Sequence, residues 1–495
     1  VTAGEPVVLG IDVGTTNAKA GLVALDGRLL GSARASYAID VAPDEGRAEQ
    51  DADDWWAALE TLTATLRALR TDVRIVAIAV TGHGPTMVPV DAVGRPTGQA
   101  ITWLDTRTLA EQDELATRTG LRGWALSVLP AGLWLERHRP RVAEATTWYL
   151  NTWEALALRL TGRAATSLVA GQAFPDRGVL VASGLAAERV APPVAAGSVL
   201  GGLTPTAAGV LGLVAGTPVV AGVVDAFASF HGAGLLEAGD AIDAGGTAGG
   251  FGVYVDRPVE AAGSFCTAAP LPGRHVVGGA MAATGKALDW LRDDILGGTA
   301  TTEALLDEAS AVGAGSDGLV FLPYLAGERS PLWNPEASGA FVGLTVRHGR
   351  GHLVRAVVEA AALAIRHIAE PILAAGVDVR SMRVCGGPAR SELWNRIKAD
   401  VTGFPILVPA VKETAVLGAA ILGAVGVEAH ADLERAIRAM VRTEQRLEPD
   451  PAARATYDAS YEAYTALYPA LEAVRRNEAP PAGGPSVLGA SRVAV

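Results

Sequence analysis

Cysteine is almost missing from this chain: among 495 residues there are only Cys266 and Cys385, far apart and in no metal-ligand spacing. A disulfide framework and a cysteine-built zinc site are therefore excluded, and both thiols are expected to be reduced and buried. A basic stripe is missing as well. With 41 Lys and Arg against 53 Asp and Glu, the formal charge is −12, which excludes nucleic acid or an anionic membrane surface as the main partner. No long apolar run is uninterrupted, since 207–224 is broken by Gly216, Thr217 and Pro218, and no basic segment precedes an apolar one at the start. These absences predict a soluble cytoplasmic protein. What the chain does have is 49% apolar and 19% charged residues, enough for more than one core, and a length that calls for two or more domains.

The run Val7 to Val13 reads as a buried strand, Gly14-Thr15-Thr16-Asn17 as a tight turn, and Ala18 to Leu25 as a second strand ending at the hairpin signal Asp26-Gly27. The glycine turn thus joins strand to strand, whereas a dinucleotide or P-loop motif would open a helix. Its glycine lets backbone N–H groups approach an anion, and Thr15, Thr16, Asn17 and Lys19 add hydroxyl, amide and ammonium donors. Asp12, at the strand end, suits a magnesium ion held through water. Residues 240–255 repeat the design: strand, then Gly245-Gly246-Thr247-Ala248-Gly249-Gly250, then strand. Two such loops half a chain apart suggest two related lobes.

Between them, Val219 to Val224 forms another apolar strand, ending in Asp225. A carboxylate there is costly unless paired, solvated or functional, and phosphoryl transfer needs a base within reach of the acceptor hydroxyl. The alternative role for Asp225 is to cap the helix that follows. Residues 54–69 and 351–375 read as helices, and 391–402 as a helix stopped by Gly403 and Pro405. The stretch 479–495, rich in Pro, Gly, Ala and Ser, reads as disordered.

Gly339-Ala340-Phe341-Val342-Gly343-Leu344, seven residues, then His352 to Glu359 matches the FGGY signature, and Gly327-Glu328-Arg329 lies just upstream. On these residues the chain resembles the FGGY carbohydrate kinases, with a xylulokinase-like character, over about residues 7–460. The resemblance implies an α/β, duplicated actin-like, RNase H-like two-lobe kinase fold with a nucleotide cleft between the lobes: a sugar lobe over 1–236, a nucleotide lobe over 237–460 and a tail over 461–495. It implies ATP and Mg²⁺ as cofactors, a small ketose as substrate and Asp225 as general base, with Asp12 and Asp225 as metal ligands. Gly14, Thr15, Thr16, Asn17, Lys19, Gly246, Thr247 and Gly249 would serve the phosphates. Gly386, Gly387, Ala389 and Asn395, which resemble the family's adenosine motif, would serve the nucleoside.

For the sugar, the resemblance points to Gly82, His83, Trp103, Asp105 and Phe227. Three departures stand out: Gly82 replaces an expected Met before His83, Ala226 replaces an expected Asn after Asp225, and Pro388 replaces a third glycine. The small-residue stretch 233–252 is a candidate interface for a homodimer. Two rival readings stay open, a kinase for a hexulose or polyol and a binding protein that has lost phosphotransfer.

Overall fold

Why the chain forms its first sheet is visible in its apolar runs. The computed structural model describes residues 4–168, 177–246 and 248–476. It divides into two units, the first formed by Val1–Leu236, Ala268–Arg274 and Glu413–Arg442, and the second by Glu237–Thr267, His275–Lys412 and Thr443–Val495. In unit 1, strands β1 (Glu5–Val13), β2 (Asn17–Ala24), β3 (Leu29–Ser36), β4 (Val73–Gly82), β5 (Val199–Gly202) and β6 (Pro218–Val220) lie in the order β5-β6-β4-β1-β2-β3. β1 runs antiparallel to β2 and parallel to β4, and β4 runs parallel to β6. Val7, Val8, Leu9, Ile11 and Val13 are all buried, as a strand covered on both faces requires.

Unit 2 carries β7 (Asp240–Asp243), β8 (Gly249–Val255), β9 (Phe265–Ala268), β10 (His275–Met281), β11 (Ser381–Val384), β12 (Ile406–Pro409) and β13 (Thr443–Leu447), in the order β9-β10-β8-β7-β11-β12-β13. The series β3-β2-β1-β4-β6 in unit 1 and β10-β8-β7-β11-β12 in unit 2 have the same order and the same alternation of antiparallel and parallel pairs. The repeat inferred from the two glycine loops is therefore a repeat of a whole sheet topology.

The helices follow their apolar faces. Ala52–Leu69 begins two residues earlier than its periodicity suggests, because Asp51 caps it by accepting the Asp53 N–H at 2.9 Å. Trp55, Leu59, Leu62 and Leu66 form its buried stripe. Arg350–Ala374 is buried around most of its circumference and centres the unit 2 core.

Candidate active site

Asp12, Thr81 and Val224 reach the same edge of the unit 1 sheet, because Asp12 pairs with Thr81, Val13 with Gly82, and Gly82 bridges Val224. That edge is the carboxyl end of the parallel strands, where open α/β sheets bind ligands. Asp225 follows at once as the first residue of the helix Asp225–Ala233. It is not the N-cap, a position held by Val224; instead its Oδ1 accepts the Ala226 N–H at 2.7 Å.

A single buried helix, Thr414–Gly426, fixes these two carboxylates. A side chain at Gly10 would run into the Val416 carbonyl, and one at Gly418 into the Ala228 carbonyl. The helix therefore lies in backbone contact with both β1 and the Asp225 helix. Its first turn also brings Glu413 to Lys19, whose ammonium donates to Oε2 at 2.7 Å across 394 residues of sequence. Lys19 stands directly opposite Asp12 in the β1–β2 ladder.

Burial pushes the Asp12 carboxyl up to about 6, Lys19 opposing and Glu413 reinforcing the shift. Burial, then the charge of Asp12, pushes Asp225 up to about 8. Two acids set so close cannot both ionise cheaply. Tyr37 belongs to the same cluster: burial and then the charges of Asp12 and Asp225 raise its phenol, which donates to the Gly14 carbonyl. The turn itself is held by Gly14 N–H to the Asn17 carbonyl at 3.0 Å and by Gln50 Nε2 to the Thr15 carbonyl at 2.8 Å. Trp103 donates its indole N–H to Thr15 Oγ1 at 3.1 Å.

His83 follows β4, its N–H donating to the Val13 carbonyl at 2.9 Å. Its Nδ1 meets Thr86 Oγ1 at 2.9 Å, and its ring stands edge-on to Trp55 with centroids 5.4 Å apart. Burial holds the imidazole neutral, its pKa lowered to about 3. Five buried polar atoms of this neighbourhood make no hydrogen bond: His83 Nε2, Trp55 Nε1, Trp153 Nε1, Gln50 Oε1 and Asp12 Oδ1. Unmade bonds of this kind each cost about 1–3 kcal/mol, so their gathering beside one strand end marks a ligand site.

In unit 2, Asp243 ends β7 much as Asp12 stands one residue from the end of β1, but its chemistry differs. Lys398, from the helix Glu392–Thr402, forms an ion pair with Asp243 in which both side chains are wholly buried. The second glycine loop then closes through Gly246 N–H to the Ala248 carbonyl at 2.9 Å, and Thr247 lies outside the described residues. Gly386, at φ 72°, packs its α-carbon against the Gly245 carbonyl, where no side chain fits. Gly387 faces open space. Asn395 braces this turn by donating to the Ala389 carbonyl at 2.9 Å.

Profile models of the FGGY family of carbohydrate kinases match twice, its N-terminal domain over residues 7–232 and its C-terminal domain over residues 244–427. The chain belongs to the FGGY family of carbohydrate kinases. It is 30% identical over 486 residues to a xylulose kinase of Escherichia coli (strain K12), covering 94% of this chain and 99% of that protein. It is also 30% identical over 450 residues to a gluconokinase of Bacillus subtilis (strain 168), covering 84% of this chain and 86% of that protein. The crystal structure of xylulose kinase from Rhodospirillum rubrum superposes with a TM-score of 0.78 at 32% identity, covering 95% of this chain and 99% of that chain. As an FGGY kinase the chain is a phosphotransferase acting on a carbohydrate, and its duplicated sheet is the actin-like fold.

The expected site residues differ in their surroundings. Asp12, Thr15, Lys19, Gly82, His83, Trp103 and Asp225 share the unit 1 site. Asp105 does not offer a free carboxylate: its side chain has 0% exposure, Oδ2 accepts the Ala48 N–H at 2.9 Å, and Arg107 grips both oxygens. It is a structural brace in a network that continues from Arg107 to Glu49 at 2.7 Å. Phe227, two helical residues after Asp225, stands roughly 200° around the axis from it and packs on Phe230 with ring centroids 5.8 Å apart. Asn395 and Ala389 are buried supports of the Gly386–Gly387 turn. Of the two thiols, Cys385 is buried but Cys266 is exposed.

Gly82 has a physical reason to replace a larger residue, since a side chain there would come within 2.9 Å of Thr152 Cγ2. Tyr37 and Lys398 were not anticipated as site residues, and neither left a signal in the sequence.

Proposed function

We propose that the chain transfers the γ-phosphoryl group of ATP to a hydroxyl of a small neutral ketose, D-xylulose or a related pentulose, with Asp225 as general base. The acceptor oxygen bonds to the γ-phosphorus, the bond from that phosphorus to the bridging oxygen of ADP breaks, and the hydroxyl proton passes to Asp225. The observation that carries this reading is the set of unbonded donors and acceptors around His83. A polyol offers both a donor and an acceptor at each hydroxyl and so satisfies such a mixed set.

Charge supports a neutral sugar. Arg107 is occupied by Glu49 and Asp105, Lys19 by Glu413, and His83 is held neutral. An aldonate carboxylate, as in the substrate that the name gluconokinase implies, would need an available cation there.

Asp12 and Asp225 fit a divalent cation. Asp12 Oδ1 is buried without a hydrogen-bond partner, and burial raises both carboxyls, with Lys19 opposing the shift at Asp12. Two carboxylates suit magnesium, an ion that keeps several waters and takes few protein ligands. When bound, it would neutralise charge on the transferred phosphoryl group. The Gly14–Asn17 turn and the Gly386–Gly387 turn are the proposed phosphate and adenosine contacts.

The test is ADP release from Mg-ATP with D-xylulose, other pentuloses, hexuloses, polyols and D-gluconate, each against a sugar-free control. Stimulation by a ketose supports the proposal. Stimulation by gluconate alone replaces the substrate, and binding of sugar and ATP without stimulation replaces catalysis with sensing.

A further inference from the structure

Seven residues before Gly82, at the other end of the same strand, the sheet of unit 1 borders a cavity of about 390 Å³. At roughly 3.3 Å per residue the cavity lies about 23 Å from the His83 end of β4, so it is no part of the kinase site. Its volume falls in the range of about 300–1,000 Å³ of small-molecule sites. Leu9, Leu22 and Leu66, all buried, line its interior together with Leu213.

Three arginines, Arg67, Arg70 and Arg74, also line it, although the chain as a whole carries −12. Arg70 is neutralised, its Nε and Nη2 donating to the two oxygens of Asp72 at 2.7 and 2.8 Å and its Nη1 to the Leu30 carbonyl at 3.1 Å. Arg67 and Arg74 are different: among the described residues neither guanidinium makes a hydrogen bond or an ion pair. The Arg67 guanidinium lies over Gly212, a residue at φ 63° where a side chain would collide with Nη1. An apolar interior with two unpaired guanidinium groups complements one kind of ligand.

We propose that this cavity binds a small amphipathic carboxylate, its alkyl or aryl body among the leucines and its head group on Arg67 and Arg74. Planar guanidinium groups suit a two-oxygen anion better than a point charge does, and the apolar body gains by leaving water.

Octanoate serves as the probe, titrated into the full chain by calorimetry, with octanol as the uncharged comparison. Saturable octanoate binding is expected, about tenfold tighter than octanol, two exposed ion pairs supplying the difference. Arg67→Gln combined with Arg74→Gln should bring octanoate down to the octanol level. Leu213→Trp should fill the cavity and remove both ligands. Saturating Mg-ATP should leave octanoate affinity unchanged, a result that does not depend on which sugar the kinase takes. Absence of saturable binding, indifference to the double arginine substitution, or displacement by ATP would each overturn the proposal.

Discussion

Asp225→Asn should remove a buried charge and thereby make the ligand-free protein more stable at alkaline pH. In the folded protein burial and Asp12 raise this carboxyl from 3.8 to about 8. A folded-state pKa above the unfolded one means that the native state keeps a proton the unfolded chain has lost. The contribution to stability is therefore complete below about pH 4 and disappears as pH rises through about 8. Every tenfold difference in proton affinity between the two states corresponds to about 1.4 kcal/mol. Because Asp225 keeps a partly exposed edge and its titration is tied to the charge of Asp12, about half of the full value, roughly 2–3 kcal/mol, is the reasonable magnitude.

Asparagine carries no charge and retains the Oδ1 that accepts the Ala226 N–H. At pH 8.5, without nucleotide or divalent cation, the variant should melt about 4–6 °C above the parent, taking about 2 °C per kcal/mol for a unit of this size. At pH 5, little more than one unit above the unfolded value of 3.8, the difference should shrink to about 1–2 °C. Differential scanning fluorimetry at the two pH values measures this. A variant less stable at pH 8.5, or a gain equal at both, would refute the reasoning.

Three further outcomes follow from the same geometry. At pH 7 Asp225 retains its proton until a cation arrives, so binding of Mg-nucleotide should release about one proton, seen as buffer-dependent heat and lost in Asp225→Asn. His83→Asn should raise the KM for the sugar about tenfold or more without moving that for ATP, and to the same extent from pH 5 to 9, since the imidazole is neutral throughout. Lys398→Met strands the Asp243 carboxylate in a wholly buried place; denaturant unfolding should show a loss of about 3–5 kcal/mol, and Asp243→Asn in the same protein should recover much of it.

What the sequence made legible was local. Asp12 before Gly14, Asp225 after an apolar strand, and the strand-turn-strand form of both loops each follow from periodicity and glycine over a dozen residues. The partners were not local. Glu413 reaches Lys19 only because a small-residue helix packs back onto β1, and Lys398 finds Asp243 through the pairing of β7 with β11. Nor does sequence tell a brace from a ligand contact. Asp105 and His83 both read as polar groups at strand or turn ends, yet one is gripped by Arg107 and the other keeps a ring nitrogen unbonded. The return of residues 413–442 to unit 1 is a property of the fold, with no break in composition to announce it.

Phosphoryl transfer from ATP to D-xylulose, followed by ³¹P NMR with the enzyme and both ligands at saturation, tests the central claim most directly. A sugar phosphate resonance should grow with the parent protein and fall by about 10²-fold or more in Asp225→Asn, with nucleotide binding intact. Product formed by Asp225→Asn at the parent's rate would contradict the assignment of Asp225 as the base.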